Sequence, residues 1–310
     1  MADVNWAQLL HESLDGANAR ILPPSIQLPA LPLAVTRFLE LSSQPEVHLR
    51  ELATVLETDA ALTLELLRHV NSAYLGLRQK ARTVQTALSL LGLRQSKLFI
   101  IATGTQAALR ARQSKLVNPT TFWNSSLQRS LFAREIARML KSDPDVAFAG
   151  ALLQDYLLPV LADEFLDVYL DFTARRDQHP DSLVEYERQR LGCDHAQVAA
   201  AMAHHWQLPE DLSCCILFHH HGLRVLADPC LARTPVAAVA LSALLPDPLQ
   251  QSRSGLEQLA LLETKWPAFQ FERLINTVDT HQAELGLGVG NDFPLTRRCR
   301  QFLEQRRAAV

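Results

Sequence analysis

The sequence predicts an all-α protein in which a smaller N-terminal helical subdomain precedes a multi-helical core. Three observations predict it. Leu and Ala run through every segment while Gly numbers only 11, and straight-chain side chains lose little rotamer freedom in a helix. Apolar residues recur three and four positions apart along most of the chain, and no strand-like alternation sustains itself. Helix punctuation falls between these stretches. With 310 residues, 48% of them hydrophobic, the chain can bury two moderate cores. The boundaries expected are 1–115 for the N-terminal subdomain, 116–250 for the core and 251–310 for C-terminal helices.

Trp6, Leu9, Leu10 and Leu14 predict an amphipathic helix over 4–14, which the Pro-rich stretch 21–32 breaks. Further helices are expected over 33–41 and from Pro45, the latter with Val47, Leu52, Val55 and Leu56 on one side. Asp59 stands where an N-cap belongs, ahead of the stripe Leu62, Leu66, Leu67, Val70. Asn71 and Ser72 close that helix. Thr83 caps a short helix that Gly92 ends, and another follows from Leu93 to about Ala108. The polar segment 110–121 marks the subdomain boundary.

In the second half a helix is expected at 122–140, and Asp143-Pro144 supplies an N-cap with proline at the first helical position. Pro159 would clash with the carbonyl of Asp155, which places Asp155 at a helix end or kink. Helices should follow near 161–174, 183–190, 195–206, 209–221 and 235–244, with a Pro-containing break at 245–255 ahead of the C-terminal helices.

The longest uninterrupted apolar runs, such as 98–102 and 147–153, fall short of the roughly 20 residues that cross a bilayer. The first sixteen residues lack a signal-peptide pattern. A cytoplasmic protein without membrane contact is expected. Cys193, Cys214, Cys215, Cys230 and Cys299 form no CxxC pair, so reduced, mostly buried thiols are expected.

The net charge of −3 hides a segregation along the chain. No Asp or Glu occurs over 66–134, a window that holds eleven basic residues, among them Arg78, Lys80, Arg82, Arg94, Lys97, Arg110 and Arg112. Something anionic should lie against it. The acid-rich segment 135–187 is one candidate, and a nucleotide, nucleic acid or acidic partner is another.

Polar residue types suited to a metal occur in three places: Gln154-Asp155, His195 and His219-His220-His221. Imidazoles and a carboxylate suit Fe, Mn, Ni or Zn. Consecutive helical residues diverge by about 100 degrees, so at most two of the three adjacent histidines can serve one ion. His219 also fits the apolar stripe Leu212, Cys215, Ile216, and histidines at a helix C-terminus are favoured by its dipole. His69, His204 and His205 read as surface or cap residues. Phosphate-binding Gly loops, a nucleophile-elbow serine and an HExxH motif are absent.

The segments LPALPLAVTRFLEL, LRELATVLETDAALTLELLRHVNSAYLG and TVQTALSLLGLRQSKLF, then FWNSSLQRS, AGALLQDYLLPVL, HAQVAAAMAHHWQLPEDL and FHHH, resemble the HDOD domain. That family is a degenerate relative of HD and HD-GYP phosphohydrolases found in bacterial signalling proteins. Asp59, Asn71, Ser72 and Gly92 fall where its signature expects them, whereas Ala60 replaces a usual proline. The resemblance implies an HD-like helical bundle and a vestigial metal set of Asp155, His195, His219 and His220. Ser125 and Gln154 stand where active relatives supply histidines, and Ser242 or Ala243 stands near an expected aspartate.

On this resemblance the chain is expected to be a non-enzymatic signalling module that binds unidentified signalling proteins or a ligand. No cofactor is expected beyond a residual divalent metal. One alternative is a residual HD-type phosphohydrolase using the four vestigial ligands with Gln154 as a neutral fifth. Another is a nucleotide- or nucleic-acid-binding surface in the basic window, whose binding should weaken steeply with salt.

Overall fold

The computed structural model describes residues 4–15, 30–77, 80–110, 114–175, 182–285 and 293–308. Helices joined by turns account for the architecture, with no strand among the described residues. The chain is all-α. Its contacts divide it into two units, one of residues 28–112 and 280–290, the other of residues 1–27, 113–279 and 291–310.

In the smaller unit, helices Leu33–Ser42, Leu49–Leu56, Ala60–Val70, Val84–Leu91 and Leu93–Arg110 pack around Val35, Phe38, Leu52, Leu56, Leu66, Val70 and Leu88. Local chemistry sets the ends. The Asp59 carboxylate accepts from the amides of Ala61 and Leu62, and the Thr83 hydroxyl accepts from Thr86. Gly92 ends its helix at φ 78°, a conformation that disfavours other side chains. Asn71 does more than close a helix. Its side-chain amide donates to the Ala81 carbonyl and its oxygen accepts from the Ala81 amide, both at 2.8 Å, which pins the returning chain.

His69 is not a surface residue as its sequence position suggests. It is buried and stacks on Phe99 with ring centroids 4.4 Å apart, because it shares a helix face with Leu62, Leu66 and Val70. Lys80, Arg82 and Arg94 are exposed, and Lys97 is half-buried with Nζ 3.5 Å from the Ser43 hydroxyl. Arg78 and Arg112 lie outside the described residues, as does the side chain of Arg110.

The larger unit is built on helices Pro119–Leu140, Pro144–Leu153, His195–His205, Glu210–Phe218 and Pro235–Ser242. Asp143 caps the second of these through the amides of Asp145 and Val146, with Pro144 at its first position. Close approach at Gly150 brings three helices together. A Cβ there would lie 2.6 Å from Cys215 Cβ and 3.2 Å from Val239 Cγ2.

Two expectations are corrected. The helix read over 161–174 is two, Leu158–Glu164 and Leu166–Arg175, because Phe165 leaves helical geometry at φ −109°, ψ 43°. The helix read over 209–221 ends at Phe218 and continues as a 3-10 segment, His219–Ala227, bent at Gly222 with φ 52° and ψ −138°. The stretch Pro144–Glu164 is, by length and mean hydropathy of 1.3, apolar enough to cross a membrane, although no uninterrupted run within it is. A turn at 154–157 breaks it and 78% of its most apolar window is buried in the protein, which is the pattern of a core element.

Candidate metal centre

Asp155 lies in the turn that follows Pro144–Leu153, on the end that Pro159 imposes. Its carboxylate is buried within the larger unit. His195 opens its helix next to the Asp194 cap, and His219 and His220 begin the 3-10 segment after Phe218. These four side chains, distant in sequence, converge. One ligand atom from each lies within 4.8 Å of the others.

One carboxylate oxygen carries most of the geometry. Oδ1 of Asp155 is 3.1 Å from Nε2 of His195 and 3.2 Å from Nε2 of His219, and Nε2 of His220 is 2.9 Å from Nε2 of His195. The opposite ring nitrogens are held by acceptors. Nδ1 of His195 donates to Glu187 Oε2 at 2.7 Å, and Nδ1 of His219 donates to the Ile216 carbonyl at 2.6 Å. Each Nδ1 therefore carries its hydrogen, and in the neutral rings the Nε2 lone pairs of both histidines face the same anionic oxygen. Acceptors aimed at an acceptor need a proton or a cation between them.

The protonation pattern follows from that crowding. Burial pushes Asp155 upward, but the hydrogen bonds from His195 and His219 and the Arg129 guanidinium outweigh it and hold the carboxyl well below its usual range. His195 is opposed by burial and raised by Glu187 and Asp155, to well above the usual imidazole value. His220 goes the other way, driven well down by burial and by the charge at His219 and His195.

A divalent ion bound at about 2.1 Å from each ligand spaces neighbouring donors roughly 3.0–3.4 Å apart. The separations of 3.1 and 3.2 Å fall in that range and 2.9 Å lies just under it, while the full set spreads to 4.8 Å and would have to draw in around an ion. The side-chain types fit as well, since three imidazoles and a carboxylate suit Zn, Fe or Mn. Glu187 supplies the outer carboxylate that orients a ligating imidazole. It is fully buried, accepts from the His195 backbone amide at 3.0 Å and from the Tyr169 hydroxyl at 2.5 Å, and reading of the sequence missed it.

The other oxygen of Asp155 is occupied differently. Oδ2 accepts from Arg129 Nη1 at 2.5 Å and from Gln251 Nε2 at 2.9 Å. Arg129, assigned from sequence to the basic window, is thus a buried ion-pair partner. Arg134 pairs likewise with Asp145 at 3.2 Å. Ser125 turns its hydroxyl back to the Thr121 carbonyl at 2.9 Å, and Gln154 stands beside the site, its Nε2 3.5 Å from Asp155 Oδ2 and its Oε1 3.4 Å from the Ser242 hydroxyl.

A cavity of about 660 Å³ opens on His219, His220 and His221, with Arg188, Arg224 and Arg253 also in its wall. His204 and His205 are exposed and lie apart from the four ligands.

Residues 28–222 match the HDOD domain. A protein of Treponema pallidum (strain Nichols), of uncharacterised function, is 27% identical over 201 residues, which are 63% of this chain and 37% of the relative. The chain thus spans little more than a third of that relative's length. An HDOD domain protein of unknown function from Geobacter sulfurreducens superposes with a TM-score of 0.57 at 20% identity, covering 97% of this chain and 96% of that one. A Shewanella amazonensis SB2B protein, provisionally described as a phosphohydrolase, gives 0.59 at 18% identity, covering 96% and 93%. At these identities the likeness is one of fold.

Proposed function

This chain belongs to the HDOD domain family, and from that premise we propose that it is a regulatory module of signal transduction that binds one divalent ion and does not hydrolyse phosphate esters. One observation carries the reading: four protein donors, from Asp155, His195, His219 and His220, lie within 4.8 Å of one another. Four protein ligands are the count of closed, structural zinc sites, whereas catalytic zinc sites keep three and leave a position for water. The second oxygen of Asp155, which could otherwise serve as a base, is taken by Arg129 and Gln251. When bound, the ion would supply charge neutralisation for Asp155 and a cross-link among three segments of the bundle. The protein's own groups set the ligands in place: Glu187 orients His195, and the Ile216 carbonyl orients His219. Signalling through such a module is by binding, with a protein or small ligand as partner.

A second reading, residual phosphohydrolysis, is favoured by the cavity that reaches His219 and His220. In that reading Asp155, His195 and His219 would hold the ion beside the cavity, and the ion would supply Lewis acidity toward a phosphate oxygen. Elemental analysis of untagged protein together with turnover of bis(p-nitrophenyl) phosphate separates the two. The binding module gives one ion per chain, absent from Asp155→Ala, with no turnover above that variant. Turnover that disappears in Asp155→Ala establishes the hydrolase instead.

A further inference from the structure

Arg129 sits in a pocket made of oxygens. Its guanidinium meets Asp155 Oδ2 at 2.5 Å, Asp247 Oδ2 at 3.3 Å, the Leu245 carbonyl at 3.1 Å and the Ala243 carbonyl at 3.3 Å. Arg129, Asp155 and Asp247 are all buried. Gln251 adds a further oxygen: its Oε1 is buried with no hydrogen-bond partner, and the Nε of Arg129 is likewise without one. A void of about 10 Å³ lies between Ser125, Arg129, Asp155, Asp247 and Gln251.

Two carboxylates and two or three carbonyl-type oxygens are the ligand chemistry of hard divalent cations. We propose that Arg129 is a built-in cation occupying a second, all-oxygen cation site that shares Asp155 with the imidazole site, and that it keeps the centre mononuclear. The inference rests on the proposed single-ion reading but concerns a different set of donors. Asp155 divides between the two positions, Oδ1 toward the histidines and Oδ2 toward the guanidinium. A tethered guanidinium neutralises Asp155 and Asp247 permanently, where an ion would leave and return. Arg298, the other cation beside Asp247, does not enter the cradle, because it is tied to Gln128 Oε1 at 2.6 Å and to the Pro246 carbonyl. Arg129 is therefore a positioning and specificity-determining residue.

The test uses Ca²⁺, which takes oxygen ligands and has little affinity for an imidazole set. Removing the guanidinium should open the cradle to it. Thermal unfolding of the full chain is measured with and without millimolar Ca²⁺ for wild type, Arg129→Ala, Arg129→Gln and Arg129→Lys. The expected result is no shift in wild type or Arg129→Lys, and a Ca²⁺-dependent rise in Tm for Arg129→Ala and Arg129→Gln, with one Ca²⁺ bound per chain by equilibrium dialysis. Should Arg129→Ala be recovered unfolded, refolding in Ca²⁺ but not in its absence is the same positive result. Indifference of both neutral variants to Ca²⁺ overturns the proposal, as does equal stabilisation of wild type. The zinc, iron and manganese content of the same samples reports the imidazole site separately, so loss of that reading and loss of this one are distinguishable.

Discussion

Glu187 Oε2 bonds two hydrogens of one residue, the Nδ1–H of His195 at 2.7 Å and its backbone N–H at 3.0 Å. A single carboxylate thus fixes where His195 begins its helix and which ring nitrogen is left to face Asp155. Outer carboxylates of this kind tune an imidazole's basicity and orientation, and losing one typically costs 10- to 100-fold in metal affinity. Glu187→Gln should weaken zinc binding by about that factor, measured by competition with a chelating dye. Unchanged affinity would mean that the carboxylate serves helix capping alone.

Asp155 is held by two histidines, an arginine and an amide, so its removal should damage stability as well as ion binding. Asp155→Ala leaves the Arg129 guanidinium, 4% exposed, facing Asp247 as its remaining carboxylate. Because Asp247 and two carbonyls still hold the guanidinium, the loss should stay below the roughly 3–5 kcal/mol of a fully stranded buried charge, and urea unfolding of ion-free protein reads it. His204→Ala, at an exposed position apart from the four ligands, should change neither quantity.

At the start of Ala60–Val70, Asp59 satisfies two otherwise open amides, Ala61 at 3.0 Å and Leu62 at 3.1 Å. Asp59→Ala should cost about 1 kcal/mol. Asp59→Asn should retain most of it, because the amide oxygen still accepts. Denaturant midpoints of the two variants distinguish a cap from a ligand-binding role, which both substitutions would abolish.

Gly150→Ala tests the tight three-helix crossing. The added methyl would meet the Cys215 Cβ at 2.6 Å, a side chain that is itself fully buried and unable to swing away. Overpacking of this kind costs roughly 1–3 kcal/mol. A double variant with Cys215→Ala removes only the sulfur and should recover little, since the clash is with Cβ.

Local features were legible in the sequence and long-range ones were not. Asp59, Thr83, Asp143 and Gly92 act through amides within a few residues, so type and position sufficed to place them. The four converging ligands could be named because the resemblance to the HDOD domain implies them; composition alone does not separate them among 11 histidines and 33 acids. Their partners could not. Arg129 and Gln251 meet Asp155 from 26 and 96 residues away, and Arg129 carries no local mark separating it from the exposed bases around it. Glu187 is hidden in the charged run VEYERQR, although it lies one helical turn beyond the buried Leu183 and Val184, and that stripe was the available signal.

The cysteines supply a prediction on pH. Cys214 and Cys299 are pushed up to about 12, by burial above all, and Cys215 is raised well above the usual thiol value by burial and the nearby Asp211. The neutral thiol is thus the form each buried site favours, and the thiolate, the reactive species, is scarce at neutral pH. Cys230 is exposed. Iodoacetamide at neutral pH should label Cys230 first, then the half-buried Cys193, which is also raised by burial, and leave the other three intact until the protein unfolds. The same shifts couple to stability. A thiol whose value is 9.0 when unfolded and about 12 when folded favours the native state fully below the lower value. As pH rises from 9 toward 12 the unfolded chain ionises first, so stability should fall across that interval. Urea midpoints measured from neutral pH upward check it: replacing Cys214 and Cys299 by Ala should flatten the alkaline decline, and an unchanged slope would assign the decline to other groups.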